Sequence, residues 1–133
     1  MNPRRAGFTL IECAVTCAMA AVLAAIAIPS YQGRERRMAR LDAVDAITRV
    51  QATQEQHRSA HGLYATELGA LRVAPTSAQG RYALTLERTG AESFRAVARA
   101  SGSQRRDHDC PELTLDVAQG FPTYGPKAAC WNR

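Results

Sequence analysis

From Phe8 to Ile28, 21 consecutive residues carry a single charge, that of Glu12. A helix of that length measures about 31 Å at 1.5 Å per residue, close to the hydrocarbon core of a bilayer. A charged side chain in hydrocarbon costs on the order of several kcal/mol unless it is paired. The segment offers Glu12 no opposite charge, and the nearest cations, Arg4 and Arg5, lie on the far side of Gly7. A cut after Gly7 would create a cationic amine on Phe8, one helical turn from Glu12.

Three readings of the segment compete. As a secretory signal, Arg4 and Arg5 form the basic start and Ala25-Ile26-Ala27 a small-x-small cleavage site. The run is long for that purpose, and Glu12 breaks its apolar start without benefit. As a lipoprotein signal it lacks the small residue needed before the cysteine, since Glu12 precedes Cys13 and Thr16 precedes Cys17. As an anchor trimmed at Gly7 it keeps every feature, with Arg4 and Arg5 holding that end on the cytoplasmic side. The third reading is preferred.

Gly7, Phe8, Thr9, Leu10, Ile11 and Glu12 resemble the type IV prepilin signature position by position, and Pro29 falls where many pilins carry a helix-bending proline. The resemblance implies cleavage between Gly7 and Phe8 by a prepilin peptidase and N-methylation of the Phe8 amine. It further implies that Glu12 pairs with the Phe8 amine of a neighbouring subunit during filament assembly. Physically, a wrongly staggered neighbour leaves the buried carboxylate unpaired, so Glu12 sets register rather than adding net adhesion. The alternative places Glu12 simply near the lipid headgroups.

Domain organisation follows: a leader at 1–7, a transmembrane or filament-core helix at 8–29, and a head domain at 30–133 that includes the second half of the helix. Pro29 removes a backbone donor and should kink or locally melt the helix. Beyond it, Leu41, Val44, Ile47 and Val50 recur every third residue with Ala43 and Ala46 between them, an apolar helical face that drifts. Gly62 ends the helix; Tyr64, Leu68 and Leu71 suggest a further turn or two, and Pro75 to Gly80 is turn material. Three alternating segments follow, with Tyr82, Leu84 and Leu86, then Phe94, Ala96 and Ala98, then Leu113, Leu115 and Val117 on shared faces. The expected fold is α+β: a long N-terminal helix, hydrophobic then amphipathic, packed on an antiparallel sheet of three to four strands.

Four cysteines form two unlike pairs. Cys13 and Cys17 share a helical face in the apolar run and read as small packing residues. Cys110 and Cys130 lie in polar sequence, where a disulfide fits an oxidising compartment; two free thiols are the alternative. Closing that loop stabilises the fold by roughly 3 kcal/mol on the chain-entropy model. The C-terminal run from Asp107 to Cys110, with Leu113 to Asp116, Gly120 and Cys130-Trp131, is similar to the tail of small, often minor, type IV pilins, in which such a pair closes the C-terminal region onto the sheet.

The sequence presents no catalytic residue, no metal site and no cofactor motif as an expectation. His57 and His61 stand four apart but lack an HExxH context, His108 has no accompanying nucleophile, and no Gly-rich phosphate cradle occurs. The net charge of +5, carried by sixteen arginines and one lysine, falls to +3 without residues 1–7. Such an excess permits binding to anionic surfaces without demanding it. Arg34, Arg36, Arg37 and Arg40 cluster after the anchor, where arginines settle near headgroups. Arg105 and Arg106 fall on an exposed loop as a candidate DNA contact, with Asp107 and Asp109 opposing them. The balance stands against nucleic acid as a partner.

The sequence thus points to a type IV pilus subunit, more a minor than a major pilin, serving motility, adhesion or DNA uptake. Its expected partners are other pilin subunits, the prepilin peptidase and the inner-membrane assembly machinery. The expected location is the inner membrane with the head in the periplasm, then the extracellular pilus. A type II secretion pseudopilin and a DNA-binding or adhesive surface protein are the alternatives.

Overall fold

The computed structural model describes residues 7–133, so the expectations placed on residues 1–6, including Arg4 and Arg5, lie outside it. The chain divides into two compact units, one ending at Glu35 and the other spanning Arg36–Arg133. Helix α1 (Leu10–His61) contributes to both.

In the first unit α1 begins at Leu10 and carries apolar side chains such as Ile11, Leu23 and Ile26 exposed, with no partner surface inside the unit. The helix is long and apolar enough there to cross a membrane. It continues through Pro29 without a break, so local melting is not the outcome. The missing N–H removes one rung of the i→i−4 ladder, and the surrounding Ala and Ile residues sustain the rest.

The second unit is a four-stranded antiparallel meander, β1 (Tyr82–Gly90), β2 (Ser93–Ala100), β3 (Glu112–Ala118) and β4 (Phe121–Gly125), in chain order. Its register pairs Leu84 with Ala98 and Leu86 with Ala96 on one side of β2. On the other side Phe94 meets Val117, Ala96 meets Leu115 and Ala98 meets Leu113. The inward face therefore alternates large and small across neighbouring strands, which fills space without voids. The three strands read from alternation all appear with those residues turned inward.

Packed on that face is a stripe of α1 made of Ala39, Ala43, Ala46, Ile47, Val50 and Gln54. The stripe differs from the expected one: Leu41 is 46% exposed. A strict three-residue spacing drifts off a face that repeats every 3.6 residues, whereas steps of three and four stay on it. The alanines of this stripe, Ala43 and Ala46, and those of β2, Ala96, Ala98 and Ala100, are buried in the same core.

At His61 the helix stops because Gly62 adopts φ +78, and its N–H reaches the Arg58 carbonyl at 2.7 Å. A short 3₁₀ turn, Leu68–Leu71, supplies the expected extra turn. The β3–β4 hairpin turns through Gln119 and Gly120, both at positive φ, the signature of a two-residue type I′ turn. The Cys110–Cys130 disulfide forms, with Cα atoms 5.6 Å apart. It joins the segments just outside β3 and β4, so it staples that hairpin at its open end. Trp131, buried beside Cys130, donates its indole N–H to the Gly125 carbonyl at 2.9 Å and meets Tyr124 edge to face.

Candidate functional site

Two places gather the residues singled out in the sequence. The first is the head of α1. Thr9 precedes the first helical residue, and the Glu12 N–H reaches its hydroxyl at 3.3 Å. The Glu12 carboxylate in turn accepts the Thr9 N–H and the Thr9 hydroxyl, each at 3.0 Å. This reciprocal pair is a capping box, which the Thr-x-x-Glu spacing encodes and hydropathy alone does not show. Thr9 holds the carboxylate through neutral donors, and among the described residues its charge remains without an opposite partner. Phe8 is 82% exposed and lies directly next to this cap.

The second place lies in the head domain, where the Ser101–Asp109 stretch is not the plain polar loop expected. A 3₁₀ helix, Gly102–Arg106, occupies it and turns some residues inward and others outward. Gln104 and Asp107 are buried, whereas Arg105, Arg106, His108 and Asp109 face solvent. Among the described residues no carboxylate lies within ion-pair distance of Arg105 or Arg106.

Asp107 turns inward because Arg40 of α1 meets it with two parallel bonds, Nε–Oδ2 at 2.6 Å and Nη2–Oδ1 at 2.7 Å. Both side chains are below one-tenth exposed. The carboxylate beside it holds the Arg40 guanidinium above its ordinary pKa, chiefly through these hydrogen bonds. The Gln104 amide nitrogen adds bonds to the Tyr82 hydroxyl at 3.0 Å, Asp107 at 3.2 Å and the Arg36 carbonyl at 3.2 Å. Arg40 also donates to the Ala129 carbonyl at 3.3 Å, and Asn132 to the Arg37 carbonyl at 3.4 Å. One buried guanidinium thus ties the Arg105–Arg106 segment and the disulfide-closed tail to the same stretch of helix. Arg40 therefore leaves the solvent-facing basic cluster to which the sequence assigned it, because its partner lies 67 residues away. Lys127 and Arg133, near this network in the tail, are exposed.

Four further arginines are paired with carboxylates, whereas Arg34, Arg37, Arg72 and Arg88 are exposed outside any of these pairs. On the outer face of the sheet Arg95 pairs with Asp116 at 2.6 Å and Arg99 with Glu112 at 3.1 Å. On α1, Arg49 pairs with Asp45 and Arg58 with Glu55. Asp107, expected to weaken Arg105 and Arg106, is engaged by Arg40 instead. His57 and His61 stack with centroids 4.3 Å apart, and their Nδ1 atoms lie on backbone carbonyls.

The family described as "Type IV minor pilin ComP, DNA uptake sequence receptor" matches residues 29–114. The chain belongs to this minor pilin family. A prokaryotic N-terminal methylation motif matches residues 2–28, so the two matches abut at Pro29. No curated protein matches the chain.

The protein is thus a structural subunit of a type IV pilus and a minor pilin, not an enzyme. Membership resolves the choice between pilus and secretion pseudopilus in favour of the pilus. The family's description also moves DNA from the margin of the sequence reading to the centre of the question. The basic signals in the sequence were the Arg34–Arg40 cluster and the pair Arg105 and Arg106; the retraction of Asp107 onto Arg40 had no local trace.

Proposed function

We propose that this minor pilin is cut between Gly7 and Phe8 by a prepilin peptidase, methylated at Phe8, and held in the inner membrane by residues 8–29 with residues 30–133 in the periplasm. On assembly, helix contacts replace lipid contacts and the Glu12 carboxylate meets the Phe8 amine of a neighbouring subunit. The Thr9–Glu12 cap supports this reading, since it fixes the carboxylate near the cut terminus without neutralising it. Its other partners are the inner-membrane assembly machinery and further pilin subunits, and its final location is the extracellular filament.

In the filament the head binds duplex DNA through the surface bearing Arg105 and Arg106. The observation that carries this reading is that these two arginines are exposed and uncompensated, in a family described as DNA uptake sequence receptors. Cations of this kind bind the phosphate backbone by releasing counterions. The paired arginines of the sheet face contribute far less, because their charge is already met.

Retention of duplex DNA by detergent-solubilised protein tests the proposal. Arg105→Glu with Arg106→Glu should abolish retention at low salt. Arg105→Ala with Arg106→Ala should lower the slope of log affinity against log salt by about two, one for each phosphate no longer neutralised. Retention that survives charge reversal refutes this interface.

A further inference from the structure

We infer that Arg40 is a positioning residue for DNA binding: it withdraws the Asp107 carboxylate from the surface, so that Arg105 and Arg106 outweigh the one acid, Asp109, left outward beside them. The inference rests on the proposed interface and deepens it.

The geometry has three parts. First, the outward side chains of the segment are Arg105, Arg106, His108 and Asp109, a balance of one positive charge with His108 neutral. Were Asp107 to face outward as well, two acids would meet two arginines and the local charge would vanish. A single side chain therefore decides whether this segment is basic or neutral. Second, Asp107 is 2% exposed and Arg40 6%, so the pair is screened from the surface it regulates. Third, among the described residues no other cation pairs with Asp107: its remaining side-chain partner is the uncharged Gln104 amide. Without the guanidinium the carboxylate would be buried and unpaired, a state costly enough to drive it outward to water.

The same atoms explain why a cation is required at position 40. Arg presents a planar fork that meets both carboxylate oxygens while a further N–H reaches the Ala129 carbonyl. An uncharged side chain there could fill the space but would leave the acid charge in place.

Duplex DNA retention and thermal melting of the full chain in detergent, measured side by side across salt, test the inference. Arg40→Gln should weaken retention about tenfold and reduce the salt slope by about one, as expected for the loss of one net cation. Adding Asp107→Asn to Arg40→Gln should return retention to within about twofold of the parent while the melting point stays lowered. A purely structural role for Arg40 predicts instead that retention follows the melting point. The pair Arg40→Met with Asp107→Leu replaces ions by apolar groups of similar size, an exchange folds commonly tolerate; it should bind DNA like the parent.

Failure of a folded Arg40→Met/Asp107→Leu protein to retain DNA overturns the inference, as does a folded Arg40→Gln protein that retains it fully. If the parent retains DNA through Arg105 and Arg106 but the double neutral variant does not recover, this inference falls alone. If the parent retains none, the interface itself falls with it.

Discussion

Gln54 of α1 grips both backbone polar groups of Ala65. Its side-chain oxygen accepts the Ala65 N–H at 2.8 Å and its amide nitrogen donates to the Ala65 carbonyl at 3.0 Å. Both residues are buried, so the chain leaving the helix is fastened to it as one strand is fastened to another. Gln54→Met fills the space yet leaves two buried backbone groups without partners. It should cost about 2–5 kcal/mol, measured by chemical denaturation of the full protein. A loss below about 1 kcal/mol would mean that water replaces the amide.

Tyr64, packed edge to face on Phe94, donates its hydroxyl to Glu55 at 2.7 Å. Burial first, and the Glu55 carboxylate second, push its pKa from 10.0 up to about 12. The unfolded chain gives up this proton first, so the stabilisation is complete below pH 10 and drains away as pH climbs through about 12. Ultraviolet titration should show a late phenolate component that Tyr64→Phe removes. Ionisation of every tyrosine below about pH 11 would contradict the buried hydroxyl.

The Cys110–Cys130 bridge closes 20 residues of sequence separation around the β3–β4 hairpin. Replacing both cysteines by Ser should lower stability by about 3 kcal/mol on the chain-entropy account, with β1 and β2 retaining their pairing. Hydrogen exchange measured strand by strand distinguishes this from general loosening: protection should fall first in β4. Uniform loss across the sheet would count against a local staple.

Glu12→Gln keeps the side chain's shape and one of its acceptors but removes its charge. Subunits carrying it should still insert in the membrane and should be depleted from sheared filaments, because the neighbour's terminal amine no longer has a counter-ion. Incorporation at parental levels would remove the electrostatic account of register.

Much of this architecture is legible in the residues themselves. Alternation in β1, β2 and β3 names the inward side chains, Gly62 marks the helix end, and the placement of Cys110 and Cys130 in polar sequence favours the bridge. Strand β4 is hidden because Phe121-Pro122-Thr123-Tyr124-Gly125 has no alternating burial; Phe121 is 77% exposed and the strand is an edge. A proline at an edge is permitted where a central strand excludes it. The polar interior is hidden for a different reason. Gln54, Asp42 and Arg40 find partners 11, 35 and 67 residues away, and a helix face scanned for hydrophobicity treats them as surface. Of the two functional places, the helix head is readable from the spacing of its residues, although Thr9 is silent when only charge is weighed. The basic surface is readable only as a pair of arginines, since what isolates them is a charge hidden beneath.

Residues 130–132 contain the second half of the bridge, the indole that caps Tyr124, and the amide that reaches back to Arg37. The latch of the head therefore lies downstream of all four strands. A polypeptide ending before Cys130 would carry all four described strands yet be unable to shut, and its open hairpin would be the first thing a protease finds.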